Sequence, residues 1–203
     1  LFILFAAPPE ERLEWNDDAM DGAWKFLNRV WNLAGGRYQA DLTPSATLGD
    51  SLDDDDRDLE RERNVTIQKV TEDISDGFKF NTAISQIMIL MNKIEKYDAK
   101  GNARKQVLLN ESLKTVILLL APFTPHICEE LWQNMGGKED SMMQAAWPQF
   151  DEKALKKETV LIVVQVNGKV RGKFQFPVNA TEEQVKTLIL SDPAIQKYLQ
   201  DKP

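Results

Sequence analysis

The apolar residues in the first 150 positions recur every three or four residues, which is the spacing of amphipathic helices. Two apolar lines run along the first of these helices: Met20, Trp24, Leu27 and Trp31, and beside them Ala23, Phe26, Val30 and Leu33. Asn16 or Asp17 can cap this helix at its start, and the glycines at 35 and 36 favour its end. The pattern therefore predicts a long helix with a wide apolar face.

Further helices follow from the same spacing. Two of them are defined by Leu59, Thr66, Val70 and Ile74, and by Phe80, Ile84, Ile87, Met91 and Ile94. The stretch from Val107 to Leu120 is apolar almost all round, so the helix there should be the central one. Thr124 and Pro125 suit the N-cap and the first residue of a last helix, which ends at Gly136. Short connections between helices of this size predict an antiparallel bundle.

Near residue 150 the pattern changes from helical spacing to the alternation of β-strands. Residues 159–166 and 169–177 flank Asn167-Gly168, the strongest short signal for a two-residue hairpin turn. In a regular hairpin, cross-strand partners share one face. The expected partners are Val166 with Lys169, Val164 with Arg171, and Ile162 with Lys173. The opposite face should be buried, and it consists of Leu161, Val163, Val170 and Phe174.

The predicted fold is mainly α: an antiparallel helical bundle over residues 1–150, followed by a small α+β domain with a β-hairpin over residues 151–203. Thr181 to Gln184 form a capping box in the second domain, and Pro193 opens a final short helix. The charge divides at the same place. Residues 151–203 carry nine Lys or Arg and seven Asp or Glu, a balance of +2, and residues 1–150 have a balance of −9.

The composition excludes several classes of function. A net charge of −7 over 203 residues argues against an overall attraction to nucleic acid, so any such binding has to be local. One Cys (Cys128) and one His (His126) supply no disulfide, no set of metal ligands and no Ser-His-Asp arrangement. We expect His126 to be a hydrogen-bonded residue at a helix start and Cys128 to pack as a small apolar residue.

The ends of the chain and its apolar runs carry two further expectations. No apolar run approaches the roughly 18 residues of a membrane span. The first residue is Leu1, inside an apolar stretch and without an initiator Met, so the chain is expected to be a piece of a longer protein.

The four aspartates at 53–56 lack the glycine and the spacing of a calcium-binding loop.

One group of candidate binding residues lies on the predicted helix that begins near residue 57. Its cations are Arg57, Arg61, Arg63 and Lys69. Arg57, Arg61 and Asn64 lie about one turn apart, a geometry that can follow a phosphate backbone. The alternative is that acidic residues on the same helix pair with these cations.

A second group of cations lies on the hairpin. Lys169, Arg171 and Lys173 follow one another along a strand at intervals of about 6.8 Å, and no acid occurs from residue 159 to residue 179. Either these side chains contact nucleic acid, or their long stems only cover apolar strand residues and protect an exposed strand.

Four segments in this order carry a resemblance to a known family. The segments APFTPHICEELW at 121–132 and FNTAI at 80–84 resemble the anticodon-binding helical bundle of class I aminoacyl-tRNA synthetases of the leucine, isoleucine, valine and methionine group. Two others, LEW at 13–15 with GAWKFLNRVW at 22–31, and VVQVNGKVR at 163–171 with ATEEQ at 180–184, are similar to bacterial-type leucyl-tRNA synthetases. The resemblance covers essentially the whole chain.

The resemblance implies a C-terminal portion of a leucine-tRNA ligase. That family attaches leucine to its tRNA through an adenylate made from ATP and magnesium, in an upstream catalytic domain. The HIGH and KMSKS motifs and the editing domain are absent here, so the chain is expected to be inactive by itself and to bind no cofactor. The implied partners are leucine tRNA and the upstream catalytic domain, without a membrane, and the implied location is cytoplasmic.

The implied contacts are a bundle lying along the inner side of the tRNA and a second domain reaching toward its elbow and long variable arm. The candidate RNA-binding residues, chosen by charge, are Arg61, Arg63, Lys169, Arg171 and Lys173. Two alternatives remain open: the same domain of a valyl- or isoleucyl-tRNA synthetase, and a helical protein-interaction module. The second alternative predicts a sizeable exposed apolar patch on the bundle and no row of cations on the hairpin.

Overall fold

The structure is a computed structural model that describes residues 1–8, 10–12, 15–40, 42, 52–137, 141–156 and 159–199. The chain divides into two compact units, Leu1–Leu155 and Lys156–Pro203. The division falls slightly after the predicted boundary at residue 150, because residues 151–155 belong to the first unit. In the described part of the chain, no helix combines the length and the apolar character that a membrane span requires.

The order of elements confirms the predicted fold class. The helices of the first unit are α1 (Phe2–Ala6), α2 (Asp17–Arg37), α3 (Asp54–Ser75), α4 (Phe80–Lys96), α5 (Ala103–Leu120) and α6 (Pro125–Asn134), followed by the 3₁₀ turn Met142–Gln144. The elements of the second unit are β1 (Thr159–Val166), β2 (Lys169–Pro177), α7 (Glu182–Ser191) and α8 (Pro193–Leu199).

The core of the first unit surrounds α4 and α5. The fully buried apolar residues of these helices are Ala83, Ile84, Ile87, Leu90, Met91, Ile94, Leu108, Leu119 and Leu120. Residues on every side of α5 are buried, including the polar Gln106, Asn110 and Thr115. The prediction that this helix is central is therefore confirmed.

The helix starts follow from capping. The Asn16 side chain accepts a hydrogen bond from the backbone N–H of Ala19, as the sequence predicts. Asp53 caps α3 in a capping box with Asp56, so the acidic stretch forms the first turn of a helix rather than a loop. Carboxylates in the first turn lie near the positive end of the helix dipole and stabilise the helix. At α6, Thr124 is the N-cap residue and Pro125 lies in the first turn, as predicted.

The helix α2 differs from its prediction in two ways. It continues through both glycines to Arg37, whose guanidinium donates to the backbone carbonyls of Ile94 and Tyr97. In one apolar line Ala23, Phe26 and Val30 are buried, as is the neighbouring Ala34, and Leu33 is partly buried. In the other line Leu27 is partly buried, but Met20, Trp24 and Trp31 are 39%, 65% and 40% exposed. We call Met20, Trp24 and Trp31 the exposed α2 line.

The hairpin has the predicted turn but not the predicted register. Asn167 and Gly168 have φ of 53° and 75°, which fits the type I′ turn. Val166 pairs with Lys169, but Val164 then pairs with Gly172 instead of Arg171. Arg171 is an extra residue in β2, a β-bulge that shifts every later pair by one position.

The shifted register exchanges the two faces of the hairpin. Ile162 pairs with Phe174, and Lys173 pairs with Val163. The face packed against α8 is therefore the one that carries Gly172, Phe174 and Phe176: Phe176 is buried, and the buried Ile195 of α8 lies close to Gly172. The prediction of the buried face was wrong for Val163 and Val170, which are 44% and 52% exposed, and right for Phe174, which lies on the packed face. The side chain of Leu161 lies outside what the structure describes.

Candidate functional site

One face of the hairpin is open to solvent and carries no acidic residue. We define the open face by five exposed residues: Val163, Gln165, Val170, Lys173 and Gln175. Lys173 belongs to the open face. Lys169 lies beside the turn and is also exposed. The open face combines apolar side chains, amides and a cation, the types of group that contact both the bases and the backbone of an RNA.

Arg171 has a different role from the two lysines. Its guanidinium carbon lies 4.1 Å from the centre of the Tyr198 ring in α8, the geometry of a cation–π contact. Its Nε is buried and has no hydrogen-bond partner among the described residues. The predicted row of three cations is thus divided, with Lys173 on the open face and Arg171 on the side of α8. Tyr198, which the sequence analysis did not select, is 40% exposed.

The charges of the hairpin are not compensated locally. Among the residues that the structure describes, neither Lys169 nor Lys173 has a carboxylate within ion-pair distance, whereas Lys186 in α7 pairs with Glu182 at 2.6 Å. The second unit carries eight Lys or Arg and five Asp or Glu, a balance of +3, and the first unit has a balance of −10. The hairpin is therefore a local cationic site on an acidic chain.

The cations of α3 are mostly paired within the helix, as the alternative interpretation predicts. The ion pairs are Arg57 with Asp54 at 2.6 Å, Arg63 with Glu60 at 2.7 Å and Lys69 with Asp73 at 2.5 Å. Arg61 has a buried Nε that no described residue hydrogen-bonds. Asn64 is only 2% exposed, so it does not join a surface row with Arg57 and Arg61.

A cluster of ionisable groups joins the start of α3 to α4 and α5. Lys105 Nζ lies 2.6 Å from Asp53 and 3.4 Å from Asp56, and the Tyr97 hydroxyl donates to Asp56 at 2.6 Å. The hydrogen bond from Lys105 is the main reason why the pKa of Asp53 falls to about 2. Burial, and then the bond to Asp56, raise the pKa of Tyr97 above its ordinary range. This cluster ties the start of α3 to α4 and α5.

The two residues with nucleophile or base chemistry are not arranged for catalysis. Burial raises the pKa of the Cys128 thiol to about 11, so this residue packs as predicted and is not a reactive thiolate. The His126 side chain is exposed, and no described residue hydrogen-bonds it, in contrast to the expectation. Among the described residues there is no group of three or more His, Cys, Asp or Glu side chains that could hold a metal ion.

Comparisons with known proteins agree on one family. The family model described as "Anticodon-binding domain of tRNA ligase" matches residues 56–187. The leucine–tRNA ligase of Geotalea daltonii is 46% identical over 98% of this chain, and that of Geotalea uraniireducens is 43% identical over the whole of it. In both cases the match covers 24% of the relative, so the chain spans about a quarter of the length of these proteins.

A solved structure is similar as well. The LeuRS of Agrobacterium radiobacter, solved as a ternary complex with tRNA and LeuAMS, matches with a TM-score of 0.71 and 30% identity. The match covers the whole of this chain and 25% of that one. The matched residues therefore include those of both units.

Proposed function

Because the chain belongs to the anticodon-binding domain family of the tRNA ligases, we propose that it binds tRNA and that its cognate molecule is leucine tRNA. The observation that carries the proposal is the hairpin, where Lys169 and Lys173 are exposed and have no carboxylate partner among the described residues. Relatives named leucine–tRNA ligase support leucine as the amino acid, rather than valine or isoleucine.

The chemistry of the site favours contacts to the sugar-phosphate backbone. Each lysine is a flexible point charge that neutralises a phosphate without reading a base. Gln165 and Gln175 add amide donors and acceptors on the open face, and Val170 adds an apolar surface. We expect such a site to recognise the shape of the folded RNA more than its sequence.

Arg171 has a supporting role in this proposal. Stacked on Tyr198, its guanidinium ties the bulge of β2 to α8. It therefore holds the strand in the register that turns Lys173 to the open side. We propose Lys169 and Lys173 as direct RNA contacts and Arg171 as a residue that positions them. Arg61 remains a proposed contact on the first unit, and Arg63 does not, because its guanidinium is held by Glu60.

Catalysis is assigned to other parts of the ligase. The chain corresponds to about a quarter of the relatives, and we propose that leucine activation, with its ATP and magnesium, takes place outside these 203 residues. The chain then contributes to the reaction only by holding the tRNA. We also expect a cytoplasmic location, where tRNAs are charged.

The exposed α2 line supports a second contact, with protein. Trp24 is 65% exposed and Trp15, just before α2, is 67% exposed. Exposed tryptophans in a row are typical of protein interfaces. The aspartates 17, 18 and 21 beside them disfavour a polyanion such as RNA. We propose that the catalytic part of the longer ligase covers this line.

A substitution of Trp24 tests the second contact. In the longer ligase, Trp24→Asp is expected to lower leucylation about 30-fold, which corresponds to the loss of about 2 kcal/mol at an interface anchor. The stability of this chain alone should not change, since Trp24 is exposed in it. Ile89→Asp, at a residue of α4 that is 47% exposed, is the matched control. Equal activity of both variants would contradict the assignment.

The direct test of the main proposal is a titration of this chain with leucine tRNA, followed by fluorescence anisotropy. A tRNA for another amino acid with a short variable arm serves as the comparison. We expect tighter binding of leucine tRNA at low salt. Equal affinity for both RNAs would contradict the assignment of leucine tRNA as the cognate RNA. The absence of binding to either RNA would contradict the proposed function.

A further inference from the structure

The segment that leaves the bundle is attached to it at three successive points. We call residues 141–151 the strap. At its start, the Glu129 carboxylate accepts hydrogen bonds from the Ser141 hydroxyl at 2.9 Å and the Met142 N–H at 3.0 Å. In its middle, the Trp147 indole N–H donates to the Thr71 hydroxyl at 2.9 Å. The strap ends where the Asp151 N–H donates to the Asn64 side-chain oxygen at 2.7 Å, the last of the three attachments.

The order of attachments gives the strap a direction. Thr71 and Asn64 are seven residues apart in α3, which is a rise of about 10 Å at 1.5 Å per residue. The strap residues that reach them, Trp147 and Asp151, are four residues apart, which an extended chain of about 13 Å can span. The strap therefore runs along α3 toward its first turn.

Asn64 is held so that its oxygen faces the strap. Its amide group donates to the Glu60 backbone carbonyl at 2.8 Å and to the Glu60 carboxylate at 3.1 Å. The same carboxylate takes two hydrogen bonds from Arg63, at 2.7 and 3.1 Å. Both donors of the Asn64 amide are thus used within α3, which fixes its oxygen as the acceptor for the Asp151 N–H.

Asparagine is an unfavourable residue for a helix interior, because its side chain competes with the helical hydrogen bonds. At this position it is 2% exposed and bonded to a segment 87 residues away. After Asp151 the chain turns at once, since the Ala154 N–H donates to the Asp151 carbonyl and the Lys153 N–H to its carboxylate. The low helix propensity of asparagine and its burial here together indicate that the role of Asn64 is this contact.

We infer that Asn64 is a positioning residue: it fixes the point at which the strap leaves α3, shortly before the first unit ends at Leu155, and Arg63 and Glu60 keep it oriented. The inference rests on the proposed tRNA binding, because the connection it sets leads to the hairpin. With Asn64 in place, the connection to β1 consists of residues 152–158. Without it, the nearest hydrogen-bonded attachment is Trp147, and the partly buried Phe150 between them keeps only its packing against the core, so the connection grows to at most residues 148–158.

A longer connection lowers the effective concentration of one tRNA-binding unit beside the other. Effective concentration falls roughly as the 3/2 power of linker length, so a lengthening from residues 152–158 to at most residues 148–158 predicts a rise of at most about twofold in Kd. The number of phosphate contacts does not change, and the dependence of binding on salt should therefore remain the same.

The test compares Asn64→Leu with Asn110→Leu. Asn110 is a matched control, since it is 4% exposed in a helix interior and accepts a hydrogen bond from the N–H of a distant residue, Gln39, at 3.2 Å. Three readouts are taken on the 203-residue chain: hydrogen exchange of the Asp151 amide, ¹⁵N relaxation of residues 159–199, and Kd for leucine tRNA at two salt concentrations.

For Asn64→Leu we expect the Asp151 amide to exchange at least tenfold faster, the correlation time of residues 159–199 to shorten, and Kd to rise by at most about twofold with an unchanged salt dependence. Asn110→Leu should change none of these. Unchanged exchange or relaxation in Asn64→Leu, or the same changes in both variants, would overturn the inference. If the wild-type chain binds no tRNA, the proposed function fails, while exchange and relaxation still decide the role of Asn64.

Discussion

Replacing Lys169 and Lys173 together by glutamate is expected to raise the Kd of the chain for leucine tRNA about 30-fold at low salt. The change removes two phosphate contacts and adds repulsion, at about 1 kcal/mol for each reversed surface charge. Both side chains are exposed and lack a carboxylate partner among the described residues, so their loss should not destabilise the fold. The measurement is fluorescence anisotropy, with circular dichroism to check that the hairpin is intact.

The matched control for this variant is Lys79→Glu with Lys96→Glu. Both of these lysines are exposed on the first unit, and the control changes the net charge by the same amount. It should weaken binding only a few-fold, through the general field of the chain. If both double variants lose affinity equally, net charge and not the hairpin determines binding. Arg171→Glu is a poor substitute, because it also breaks the stacking on Tyr198.

Gly172→Val is expected to unfold the second unit and leave the first unit folded. A Cβ at this position would lie 2.5 Å from the Phe174 ring and 3.2 Å from Ile195 Cδ1. The ring would have to move from its place between β2 and α8, and overpacking of this kind costs about 1–3 kcal/mol. A unit made of a hairpin and two short helices has little stability to lose.

The comparison for Gly172→Val is Gly36→Ala. An added Cβ at Gly36 meets nothing within 4 Å, and alanine in a helix interior should stabilise the first unit by about 0.5–1 kcal/mol. Urea unfolding followed by the NMR signals of the Ile195 methyl groups and of core methyl groups in α4 separates the two units. Native-like Ile195 signals in Gly172→Val would contradict the description of the β2–α8 contact.

The features that the sequence predicts correctly are local ones. Helix caps at Asn16 and Thr181, the turn at Asn167-Gly168 and the spacing of α4 depend on neighbours within a few residues. Local hydrogen bonds and side-chain periodicity decide such features, and the sequence contains all the partners. The division into a bundle and a hairpin unit follows from the same kind of information.

The register of the hairpin depends on a distant contact, and for that reason the alternation of residues gave the wrong face. The bulge at Arg171 places this side chain on Tyr198, which lies 27 positions further along the chain. A signal was nevertheless present. A glycine inside a strand, here Gly172, is typical of a bulge or of a close approach by another element. The structure has both at this point.

The α2 helix shows another limit of periodicity. Its two apolar lines are equally regular in the sequence, and spacing alone does not tell which of them is buried. The packed position of the helix in the bundle buries Phe26 and Val30 and leaves Trp24 exposed. The exposed line is the patch that the protein-interaction alternative predicts. It is compatible with tRNA binding if the covering partner is the rest of the ligase.

The cations of α3 differ in their neighbours. Arg63 lies three residues after Glu60 and pairs with it, so it is not among the RNA contacts that we propose, and through Glu60 it helps to hold Asn64. Spacing of three or four residues always allows such pairing. The hairpin cations differ because the acids nearest to them in sequence are outside the strands.

The account depends on one claim, that the hairpin lysines hold a tRNA through its phosphates. The most direct test is the Kd of this chain for leucine tRNA at 50 and 200 mM salt. Two phosphate contacts at a slope of about 0.9 each predict that Kd rises about tenfold or more between these concentrations. A Kd that stays the same over this range, or no binding at 50 mM salt, would contradict the account.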